Sequence, residues 1–98
     1  MSYAEDLRKH RRLAILRHLE LSSGYTSNAA MLGDVLQRVG IRSSRDLITT
    51  ELAWLRENGF VVLKESDGFV VVTATQAGAE IAQGVSTHPD IQRPSPSA

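Results

Sequence analysis

The chain has no cysteine among its 98 residues, which removes disulfides, thiolate nucleophiles and the usual thiolate zinc frameworks together. No run approaches the roughly 20 apolar residues that a bilayer-crossing helix needs. The first residues carry Glu5, Asp6, Arg8 and Lys9, where a secretory signal would be apolar. A cytoplasmic protein without membrane association is expected. Net charge is absent too: eleven Lys and Arg balance eleven Asp and Glu. No global field therefore draws the chain to nucleic acid or anionic lipid, and any such binding has to come from local placement of charge.

The glycines never fall into a G-x-G-x-x-G or Gly-Lys-Ser/Thr phosphate loop. His10, His18 and His88 have no histidine partner at helical spacing and no thiolate to join, which argues against zinc. Glu65 and Asp67 flank a turn rather than a cleft, so a general acid–base pair has no setting. The expectation is no enzyme: no catalytic residue, no metal and no cofactor. What remains is ordinary for a folded domain, with 42% apolar and 22% charged residues and room for one domain.

Between residues 13 and 21, Ile15, Leu16 and Leu19 share a helical stripe with Ala14, His18 and Leu21 beside it, predicting a central buried helix. Upstream, residues 3–12 have little to bury and read as a helical extension past the core. Residues 22–27 read as a loop. A cap at Ser27 or Asn28 opens a second helix with Met31, Leu32, Val35, Leu36 and Val39 on one face, ended by Gly40. Ile41 is placed to tuck under both neighbours. Ser43 and Asp46 form a capping pattern for a third helix, at about 44–58, with Leu47, Ile48, Leu52 and Leu55 inward and Asn58-Gly59 as its stop. Two valine-rich runs around Ser66-Asp67-Gly68 predict a hairpin. Thr75 then caps a short fourth helix ending at Gly84. The domain is placed at 1–84 and a disordered Pro/Ser-containing tail at 85–98.

This order resembles a winged helix-turn-helix domain: mainly α, with a small two-stranded antiparallel hairpin. Arg12-x-x-Ile15-Leu16-x-x-Leu19 is similar to the first helix of ArsR- and MarR-like regulators. Leu52-x-x-Leu55-x-x-x-Gly59-Phe60-Val61 is similar to their third helix running into the wing, and Thr75-Gln76-Ala77-Gly78 to the Thr-x-x-Gly after it. Asp46-Leu47 with Leu52-Ala53-Trp54-Leu55 narrows the resemblance to a family of small winged-helix proteins of Mu-like phages and prophages. The resemblance implies a dimeric DNA-binding transcription regulator of phage or prophage origin.

In a helix-turn-helix the third helix here would enter the major groove of double-stranded DNA. Arg45 would offer a bidentate pair to guanine, with Thr49 and Thr50 as further base contacts. Arg42, Ser44 and Lys64 would suit phosphate oxygens. Against this, residues 26–59 hold four basic and four acidic side chains, and the wing carries Lys64 against Glu65 and Asp67. Neutrality favours an alternative: a winged-helix protein–protein interaction module in a phage replication or packaging assembly, with a phage or host protein as partner.

The basic cluster lies elsewhere, in Arg8, Lys9, His10, Arg11 and Arg12. It reads either as a basic arm on DNA or as a solvated helix end balanced by Glu5 and Asp6. A homodimer is expected through the first and last helices, using Tyr3, Ala4, Leu7, Ala14 and Ile81. Trp54 is expected to lock the third helix against the hairpin through Phe60, Val62 or Phe69.

Overall fold

A computed structural model describes residues 2–95, as four α-helices and a three-stranded antiparallel sheet. Helix α1 (Tyr3–Leu21) starts at Ser2, whose hydroxyl accepts from the Glu5 amide, and buries Leu13, Ile15, Leu16 and Leu19. Each such fully buried aliphatic side chain contributes roughly 1.5–3 kcal/mol. A single 3-10 turn, Ser23–Tyr25, leads into strand β1 (Thr26–Asn28). Helix α2 (Ala29–Arg38) is capped by Asn28 and buries Leu32, Val35 and Leu36. Helix α3 (Arg45–Glu57) follows, then β2 (Val61–Ser66), β3 (Phe69–Ala74) and α4 (Gln76–Gln83).

The corner between α2 and α3 is set by Gly40 at φ 81°, with the Ile41 amide donating back to the Leu36 carbonyl at 2.8 Å. This is the left-handed helix ending that glycine favours, and it turns Ile41 onto the core. At the hairpin, Asp67 and Gly68 both take positive φ, 51° and 81°, as a two-residue turn matching the twist of its strands requires.

The sheet corrects the two-stranded hairpin. Its order is β1-β3-β2, with Thr26, Ser27 and Asn28 opposite Thr73, Val72 and Val71. The added strand is three polar residues long. It carries no apolar alternation, and its pairing comes from backbone bonds and a 2.9 Å contact between the Thr26 and Thr73 hydroxyls. With a third strand the architecture is α+β rather than mainly α.

Two further expectations change. The cap of α3 is Ser44, whose hydroxyl accepts from the Leu47 amide at 3.1 Å. Ser43 instead donates to the Ile41 carbonyl and accepts from Arg11 Nε at 2.6 Å. Leu47, Met31 and Val39, expected inside, are 42%, 44% and 57% exposed.

Helix α4 approaches the start of β2 so closely that a Cβ on Gly78 would stand 2.1 Å from the Phe60 carbonyl oxygen. Thr75 caps α4 by accepting from the Gly78 amide, and its hydroxyl donates to the Gly59 carbonyl at 2.6 Å. The Thr-x-x-Gly pattern is thus a physical requirement for seating α4 on this strand. Ile81, offered to a dimer, is buried within the subunit where α4 lies on α1, while Tyr3 and Ala4 stay exposed.

Residues 85–95 fold back onto the domain. Ile91 is 3% exposed and joins the core, and the Gln92 amide donates to the Lys9 carbonyl. The expected disordered tail therefore does not describe this stretch: one buried isoleucine and bonds to α1 supply the partner that its composition hid. Residues 96–98 of that expectation lie outside the described residues.

Candidate functional site

Helix α3 turns Ile48, Leu52 and Leu55 to the core and leaves the opposite face in water. Arg42, Ser44, Arg45, Thr49, Thr50 and Lys64 are all exposed. The Ser44 hydroxyl accepts from the Leu47 amide at the helix cap. Among the described residues, no side-chain hydrogen bond or ion pair holds Arg42, Arg45, Thr49, Thr50 or Lys64.

Two adjoining hollows of about 470 and 370 Å³ lie between α2, α3 and the hairpin, sharing Ala29, Thr49 and Val70 as lining. Arg45 lines the first, beside Ile48, Gly68 and Phe69. Lys64 lines the second, beside Arg56 and Glu65. The structure thus brings Arg45, Thr49 and Lys64 to one concave surface. Arg42, Ser44 and Thr50 are exposed outside it.

The basic cluster on α1 meets a different fate. Arg11 and Arg12 are only 6% and 7% exposed, which corrects both the arm and the solvated helix end for these two residues. Arg12 Nε donates to Glu51 Oε1 at 2.5 Å, its guanidinium carbon lies 3.7 Å from the Trp54 ring centre, and Nη1 donates to the Asp90 carbonyl at 3.0 Å. Arg8, half exposed, stands 3.9 Å from the other oxygen of Glu51. Burying a guanidinium is tolerable only with such pairing. Lys9 meets residues 85–95 through its carbonyl, and His10 is exposed.

Trp54 is half-buried. Phe60 reaches it, with ring centres 6.4 Å apart, but Val62 and Phe69 remain 55% and 56% exposed. Their place is taken by His88, edge-on to both Trp54 and Phe60 at 5.2 and 5.7 Å. His18 sits 3.1 Å from the Ser27 hydroxyl. Desolvation, and then the Arg38 charge, lower its pKa below the ordinary 6.5 and favour the neutral ring. Among the described residues, no three His, Asp or Glu side chains gather as a metal site, and no helix is long and apolar enough to cross a membrane.

No family model matches the chain. It is 36% identical over 92 residues to the uncharacterized protein gp26 of Escherichia phage Mu, covering 94% of this chain and 95% of that one. It is also 38% identical over 77 residues to an uncharacterized protein of Haemophilus influenzae, covering 78% of this chain and 74% of that one. The chain belongs to the phage Mu gp26 family.

In this gp26-family chain, sequence reasoning passed over two contributors to the concave surface. Arg56 follows Thr49 by seven residues and Arg45 by eleven, so helical spacing alone places it on their face. Phe69, one of three side chains expected against Trp54, lines the concavity instead, exposed beside the hairpin turn. Burial of Glu51 also changes the local charge: it leaves four basic against three acidic side chains on the surface of residues 26–59.

Proposed function

We propose that this gp26-family protein is a winged helix-turn-helix DNA-binding protein, a phage or prophage regulator that reads the major groove with α3. The observation that carries the reading is the outward face of α3, where Arg45 and Thr49 stand exposed and unpartnered beside a concavity shared with Arg56 and Lys64. The element order supports it: a sharp glycine corner precedes α3, and an antiparallel hairpin packs alongside. Arg45 is the base-reading residue and Thr49 its neighbour one turn on. Arg42, Arg56 and Lys64 neutralise phosphates, and the Ser44 end of α3 offers its positive dipole end. As a homodimer the protein would present two such helices to half-sites about 34–36 Å apart.

Selection of bound sequences from a random duplex pool tests this. Enrichment of one motif is expected, and Arg45→Ala should weaken binding to it by about 1–3 kcal/mol and relax one base position. Equal recovery of all sequences would overturn the reading.

A protein-binding module is the second reading, favoured by the exposed Leu47 and Phe69 and by Glu65 and Asp67 on the hairpin. It predicts no retention of duplex DNA even at about 50 mM salt, where electrostatic binding is strongest.

A further inference from the structure

We propose that residues 85–95 form a releasable strap that sets the rigidity of the second half of α3. Gly84 ends α4 at φ 79°, and the chain then loops until Pro94 returns beside it, 3.2 Å from where a Cβ on Gly84 would stand. A loop of this length whose ends meet is a compact unit held by its own side chains. Within it, His88 Nδ1 accepts from the Asp90 amide at 3.0 Å, and the His88 carbonyl accepts from the Ile91 amide at 3.1 Å.

The strap is tied to α3 by two routes. His88 presses its ring edge against Trp54 and Phe60. Asp90 gives its carbonyl to Arg12, the same guanidinium that holds Glu51 and covers Trp54. One arginine therefore bridges α1, α3 and the strap. The attachment is slender by comparison with a helix: Ile91 is the one buried apolar anchor between 85 and 95, and most of its neighbours are exposed. Segments with so few buried contacts open far more often than the core beneath them. When the strap leaves, Trp54 loses its edge contact and Arg12 loses a hydrogen-bond acceptor, so the α3 turns around Trp54 slacken while α2 and the sheet keep their packing. Arg45 and Thr49 ride on the same helix, and the inference does not depend on what they bind.

Amide exchange of the intact chain tests it. Ile91→Ala should speed exchange at residues 52–57 by about tenfold or more while α2 and β2–β3 stay within about twofold. Trp54 fluorescence should become more open to a neutral quencher. His88→Ala, which leaves the core anchor in place, should give the same pattern at smaller size, and it keeps the test alive if Ile91→Ala fails to fold. A uniform rise over every element, or a rise confined to residues 85–95, would overturn the proposal.

Discussion

Two sets of basic residues lie on this chain, one on α1 and one around α3, and they end in opposite environments. Arg11 and Arg12 are drawn inside, to Ser43, Glu51, Trp54 and the strap. Arg45, Arg56 and Lys64 stand in water around a concavity. The richer cluster in the sequence is thus partly structural, and the sparser one is available to a partner. Charge density along a chain measures neither. What separates the two is whether another element offers an inward-facing acceptor at the same level: Glu51 on α3 for Arg12, and the Ser43 hydroxyl for Arg11.

The largest effect belongs to that internal pair. Glu51→Ala leaves the Arg12 guanidinium buried without its counter-charge and should cost about 3–5 kcal/mol in urea unfolding, whereas Arg45→Ala should stay within about 0.5 kcal/mol. Replacing both members, as Arg12→Met with Glu51→Leu, should recover most of the loss. Equal costs for Glu51→Ala and Arg45→Ala would erase the distinction between the two sets. Gly78→Ala comes next, because its methyl group would collide with the Phe60 carbonyl. Separating α4 from β2 should cost about 1–3 kcal/mol or more, a loss visible in thermal melts. It tests whether the hairpin beside the concavity is held as firmly as the buried side.

Much of this frame was legible in the sequence. The four helices, the glycine corner, the Asp67-Gly68 turn and the exposure of Arg45, Thr49 and Lys64 all follow from periodicity and capping chemistry. Strand β1 was not legible, because Thr26-Ser27-Asn28 has no apolar alternation and exists through its pairing with β3. Nor was the strap, since one isoleucine among prolines and polar residues gives no period. Arg12 misled for a related reason: a charged side chain advertises solvent until its partner is known, and that partner lies 39 residues away.

A smaller effect comes from the cap of α3. Ser44→Ala removes the acceptor for the Leu47 amide and should cost about 1 kcal/mol. The frayed first turn carries Arg45, so any affinity of the outward face should fall along with stability. A cap substitution that lowers stability but leaves that affinity unchanged would show that the face does not need a rigid first turn.

The smallest effect tests the ground between the two regimes, where His18 is neither sealed in nor free. Burial lowers its pKa first and Arg38 second, from an ordinary value of 6.5. With the folded value below the unfolded one, the unfolded chain binds the proton first as pH falls through 6.5, so stability declines there. The decline from this group ends once pH passes below the folded value, and its contribution is complete above 6.5. Urea midpoints at about pH 7.5 and about pH 5.5 should therefore differ more for the native chain than for His18→Gln. Arg38→Gln should shrink that difference without abolishing it, because desolvation remains when the nearby charge is gone. An identical pH response in all three proteins would place His18 with the exposed set, its ring as well hydrated as the arginines around the concavity.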